Sequence, residues 1–122
     1  MKILAKEQIV FFDIDSTLIL ENQPSSMHDI KVEDPLDSTH HVWVQPHTAM
    51  IRLLKEEYSR GSTVIVWSRG GYQWAANVIK ALGLEEMVNM AMSKPMVYFD
   101  DMPIEKWLPY RVYLEPGTKY RS

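Results

Sequence analysis

The chain has 122 residues, 46% of them apolar and 24% charged, with a formal net charge of −3. This describes one ordinary domain with a single core, 1–122, neither disordered nor fibrous. The charge gives no general pull toward nucleic acid, although a local basic patch remains open; the absence of cysteine rules out disulfides, thiolate metal sites and cysteine catalysis.

The start, "MKILAKEQIVFF", carries Lys6 and Glu7 before a signal-type core can form, and no apolar run approaches the ~20 residues that span a bilayer. A cytoplasmic protein without a membrane partner is therefore expected. Residues 8 to 14 read as a buried strand, a short apolar run rich in Ile, Val and Phe that runs into Asp13 and Asp15. The stretch from about 20 to 45 holds prolines and many Ser, Asp and His residues, and predicts a loop or small flap with "HHVWV" as one short strand. Pro46 is expected to open a helix at its first position, with Met50, Leu53, Leu54 and Tyr58 on one side and Gly61 as its stop. "STVIVW" predicts a second buried strand ending at Ser68. After the "RGG" turn, Trp74, Ala75, Val78, Ile79 and Leu82 mark another helix, closed by Gly83.

"MVNMAM" is ambiguous between strand and loop. "MVYFDD" predicts a third strand ending on Asp100 and Asp101, "MPIEKWLP" a short helix or turn, and "YRVYLE" a last strand. Strands alternating with helices imply βαβ units and a three-layer Rossmann-like α/β fold with a parallel sheet.

In such a sheet, ligands bind beyond the carboxyl ends of the strands. Right-handed crossovers would bring Asp13 and Asp15, Ser68 and Arg69, and Asp100 and Asp101 to one edge. Four carboxylates in one crevice repel unless a cation sits among them, and oxygen donors alone select a hard ion such as Mg²⁺. Between that metal, the Ser68 hydroxyl and the backbone of the Ser68–Arg69–Gly70 turn, a phosphoryl group would fit. A carboxylate nucleophile then divides one displacement into two, and a second acid two residues on, ~6.5 Å away along a strand, protonates the leaving oxygen and later activates water.

Here "FFDIDSTL", "VIVWS", "SKP" and "VYFDD" resemble, in order, the four motifs of the haloacid dehalogenase (HAD) superfamily of phosphohydrolases. The resemblance runs from about residue 8 to 103 and implies a small, capless HAD-type phosphatase. By that resemblance, Asp13 is the nucleophile and a Mg²⁺ ligand, and Asp15 is the general acid/base with its carbonyl facing the metal. Ser68 holds the phosphoryl oxygen, Thr17 ties down the turn after the first strand, and Lys94 is the lysine of the third motif. Asp101 completes the metal site with Asp100 beside it.

With 94–99 extended, however, Lys94 would lie ~20 Å from the acids, and only a break at Pro95 would return it to the site. Arg69 is the second candidate for the cation on the phosphate side. The insert near 20–45 leaves no room for a cap domain, so the expected substrate is phosphorylated, either a small molecule or a macromolecular end. Trp43, His40, His41, Tyr72 and Trp74 are candidates to line the site, although Trp74, at helical spacing with Val78, reads rather as core. Two other functions compete: a receiver-like signalling domain, which needs its acceptor Asp at the end of the middle strand, and a catalytically silent relative that binds a phosphorylated partner.

Overall fold

The structure is a computed structural model that describes residues 8–20 and 29–114. Among these residues, six strands and three α-helices form a mixed α/β domain: β1 (Ile9–Asp13), β2 (Ile19–Leu20), β3 (Ile30–Asp34), β4 (Asp37–Pro46), α1 (Thr48–Ser59), β5 (Thr63–Ser68), α2 (Tyr72–Ala81), β6 (Met90–Ser93) and α3 (Ile104–Trp107). Three strands make a parallel sheet in the order β1-β5-β6, with Asp13 paired to Trp67 and Ser68 to Ser93. The other three make an antiparallel sheet, β2-β4-β3. No described helix is long and apolar enough to cross a membrane.

β5 is the middle strand, and its inward-facing Val64 and Val66 join Phe12, Ile14, Leu18 and Leu54 in the core. β1 is less buried than its composition predicts: Phe12 is enclosed, while Ile9 and Phe11 are 51% and 40% exposed. Ile9 and Phe11 stand on the face of the sheet opposite the buried Phe12, Val64 and Val66, together with Ile65 and Trp67, and that face is less covered.

The expected flap is a long hairpin. Ile30 and Val32 alternate with Lys31 and Glu33, which is the period of a half-buried strand, and β3 pairs with β4 over most of its length. Asp34 accepts the Leu36 N–H at 2.9 Å, and Asp37 accepts the Thr39 N–H at 3.0 Å, so the short acids hold the turn. The hairpin lies against α2, whose Asn77 side chain donates to the Glu33 carbonyl at 3.0 Å. The first part of the expected flap, 21–28, lies outside the described residues, as do 1–7 and 115–122.

Pro46 does not open α1; it ends β4, and His47 is the N-cap, its Nδ1 accepting from the Met50 N–H at 3.4 Å. Met50, Leu54 and Glu57 are the buried positions of α1, whereas Tyr58 is exposed. Gly61, at φ +93°, lets the chain leave the helix, and its N–H donates to the Tyr58 carbonyl.

The largest departure from the sequence pattern lies near the end. The third parallel strand is "MAMS", not "MVYFDD". Residues 96–101 form no strand, and neither do residues 110–114, the described part of "YRVYLE". Val, Tyr and Phe favour a strand but make one only where a neighbour takes up their backbone groups.

Candidate active site

The acids enter the site through a sharp turn. After Asp13, the Ile14 carbonyl accepts the N–H groups of Thr17, Leu18 and Ile19, and Ser16 is held at φ +61°. A left-handed backbone at a residue other than glycine costs about 1 kcal/mol or more, and such strain gathers at functional positions. The turn leaves Asp13 and Asp15 half-buried at the carboxyl end of β1.

Asp15 is held from two sides. Its Oδ2 accepts the Ser68 hydroxyl at 3.1 Å, and its Oδ1 accepts the Trp74 indole N–H at 3.0 Å. Asp13 accepts the Thr17 hydroxyl at 3.4 Å and has Lys94 Nζ 3.9 Å away. Burial pushes the Asp13 carboxyl above its ordinary value, and the nearby Asp15 charge adds to this. Lys94, a hydrogen bond from the Ile14 backbone and the Thr17 hydroxyl act in the opposite direction without cancelling the rise.

Lys94 reaches this position because "MAMS" is the strand. β6 runs parallel to β5, ends at Ser93 opposite Ser68, and delivers the next residue to the same edge as the acids. The Lys94 N–H donates to the Ser68 carbonyl at 2.8 Å, and its ammonium lies 5.7 Å from the centre of the Trp67 ring. The ~20 Å separation set by an extended 94–99 strand is thus removed.

Ser68 is fully buried, and its hydroxyl, while donating to Asp15, accepts the Gly70 N–H at 2.9 Å. In this arrangement it orients Asp15. A Cβ at Gly70 would come within 3.1 Å of the Trp74 ring and 3.3 Å of the Ser68 hydroxyl, so glycine permits the close turn. Arg69 is exposed and forms no ion pair among the described residues. Ser93 accepts the Tyr72 N–H at 2.9 Å, capping α2 from another element because the N-cap itself is Gly71.

Two expectations need correction. Asp100 and Asp101 stand on the exposed, unpaired segment and not at the end of a strand; the Asp100 carboxylate accepts the Met102 N–H at 3.2 Å. Among the described residues, no group of three or more acidic, histidine or cysteine side chains is placed to hold a metal. The four-carboxylate crevice is therefore reduced to the Asp13–Asp15 pair. Trp74 does pack against the core, as its spacing predicts, but it is also the donor that holds Asp15. The signal for that role was its place in the first turn after "RGG", at the strand edge. Trp43 and Tyr72 are exposed, and neither they nor His40 and His41 touch the acids through any described bond.

Asp13 and Asp15 supply the hard oxygen donors that Mg²⁺ favours, and that ion commonly takes one or two carboxylates and completes its shell with water and phosphate. The donor chemistry of the Asp13–Asp15 pair fits such an ion.

Compared with protein-family models, curated proteins and solved structures, the chain matches none.

Proposed function

We propose that this protein is a Mg²⁺-dependent phosphohydrolase of the HAD type that cleaves a phosphate monoester through an aspartyl-phosphate on Asp13. The observation that carries the reading is the meeting of Asp13, Asp15, Ser68 and Lys94 at the carboxyl edge of one parallel sheet, with Lys94 Nζ 3.9 Å from Asp13. The order β1-β5-β6, with Asp-x-Asp, Ser and Lys at successive strand ends, supports the HAD-type Rossmann-like fold.

In the first step an Asp13 carboxylate oxygen attacks phosphorus, and the bond from phosphorus to the leaving oxygen breaks. Asp15 delivers a proton to that oxygen. In the second step Asp15 takes a proton from water, the water oxygen attacks the phosphorus of the aspartyl-phosphate, and the Asp13 carboxylate is released with inorganic phosphate. Lys94 offsets negative charge beside the transferring group, and the paired donors on Asp15 keep its carboxyl aimed. Bound Mg²⁺ would supply charge neutralisation for the phosphoryl oxygens. The substrate is a phosphorylated small molecule or an exposed macromolecular phosphate.

The receiver-like alternative asks for aspartate at the end of the middle strand, but β5 ends on Ser68. A silent relative would be favoured by a Lys94 remote from the acids together with an Arg69 that points away, whereas Lys94 is beside Asp13. Turnover of an aryl phosphate with and without Mg²⁺, in the wild type and in Asp13→Asn, tests the proposal. Equal rates in the two proteins would reject Asp13 as nucleophile, and metal-independent turnover would reject the Mg²⁺ requirement.

A further inference from the structure

On the face of the parallel sheet away from the core, Asp13 of β1, Trp67 of β5 and Met92 of β6 stand in register, and side chains in register share one face. Lys94 comes two residues after Met92, the period of a strand, and its N–H still donates to the Ser68 carbonyl of β5 at 2.8 Å. Its side chain therefore starts from β6 on the face that carries Trp67.

Asp13 is two strands away. A spacing of about 4.8 Å per strand puts about 9.6 Å between the two backbones, and the lysine crosses β5 to cover it. Little at the far end fixes it there. The ammonium stands 3.9 Å from the Asp13 carboxylate, longer than a hydrogen bond, and the two side chains are 36% and 32% exposed. A partly exposed ion pair of that length is weak against the rotamer freedom of a lysine.

Trp67 lies under the path. Its ring centre is 5.7 Å from the ammonium, within the distance at which an aromatic face attracts a cation, and indole is the strongest such face. The ring is itself braced, because Phe11 packs on it with centroids 4.4 Å apart and planes tilted by 45°.

We propose that Trp67 is a positioning residue: its indole face holds the Lys94 ammonium and keeps the lysine extended across β5, with its charge aimed at Asp13. The holding of Lys94 stands on these contacts alone; its effect on turnover rests on the proposed phosphohydrolase reading. Without the ring the lysine is free to swing into solvent, and the positive charge leaves the side of the transferring phosphoryl group.

NMR on the full chain reads the contact without any substrate. A methylene group above an aromatic face is shifted upfield. The Lys94 ε protons, identified by their loss in Lys94→Met, should therefore lie upfield of those of the other lysines. The shift should persist, reduced, in Trp67→Phe and vanish in Trp67→Leu, which keeps an apolar side chain at the position. In initial-rate assays with an aryl phosphate, Trp67→Leu should lower kcat about tenfold with KM little changed, and Trp67→Phe should restore most of it. In the Lys94→Met background, Trp67→Leu should change kcat no further, since the ring acts through the lysine.

Lys94 ε protons at the ordinary lysine position in the wild type would overturn the contact, even where Trp67→Leu does not fold. Equal losses from Trp67→Leu with and without Lys94 would overturn the positioning role and leave Trp67 as packing. The two readings fail separately. Turnover without the upfield shift sinks the contact and leaves the hydrolase. An upfield shift that follows the ring, in a protein without turnover, keeps the contact and sinks the hydrolase.

Discussion

The molecule carries two acidic pairs at the ends of apolar runs, and they behave differently. Asp13 and Asp15 follow a strand paired along its length, and a hydroxyl, an indole or an ammonium stands at each of their oxygens. Asp100 and Asp101 follow an equally strand-like "VYF" that pairs with nothing described and lies in solvent. The contrast shows what a run of strand-forming residues lacks by itself. Backbone partners make the strand, and only a strand aims the acids at its end.

The sharpest way to test the first pair is to remove the proposed nucleophile. Asp13→Asn is expected to lower kcat for an aryl phosphate by at least about a thousandfold, read in initial-rate assays. Next comes the cation: Lys94→Met should reduce kcat by about a hundredfold, the usual cost of losing one electrostatic contact in the transition state, whereas Arg69→Met should change it little. Trp74→Phe keeps the ring but removes the donor to Asp15. A fall of about tenfold in kcat with a displaced pH–rate profile is expected if the indole orients Asp15, and an unchanged profile would reduce Trp74 to packing.

Stability sharpens the same comparison. Ile14→Ala, at a fully buried position beside Asp13, should cost about 2–5 kcal/mol in denaturant unfolding. Tyr110→Ala, at a residue 92% exposed in the terminal segment, should stay within about 0.5 kcal/mol.

The smallest effects are in pH. Burial holds the folded Asp13 carboxyl above its ordinary value of 3.8, so its ionised form opposes folding at neutral pH. That penalty is relieved as pH falls through the raised folded value toward 3.8. Asp13→Asn should accordingly raise Tm at pH 7, with the gain fading in acid. Asp37 has the opposite sign, because the Thr39 hydroxyl and N–H hold its carboxyl below 3.8. Its contribution is present above 3.8 and lost as pH falls through the depressed folded value. As Asp37 is exposed, only a slight fall in Tm is expected for Asp37→Asn.

Much of this was legible from local pattern. β1, β5, α1 and α2 stand out by their apolar patterns and the glycine stops of the helices, and Asp13, Asp15 and Ser68 meet at one sheet edge as the order of strands and helices implies. The hairpin was partly hidden by its polar content, although the alternation of Ile30, Lys31, Val32 and Glu33 ahead of "DPLD" carried the signal. Trp74 as a donor to Asp15 had only its place after "RGG" as a signal, since the bond joins residues 59 positions apart.

The sequence alone determined where the acids stand, because an apolar run ending in Asp-x-Asp needs only local chemistry to form and to stop. It did not determine which of two apolar runs, "MAMS" or "VYFD", becomes the third parallel strand. That choice depends on which backbone finds the free edge of β5, a contact across more than twenty residues that only the tertiary structure decides. With that choice the structure places Lys94 beside Asp13 and leaves Asp100 and Asp101 outside the cluster.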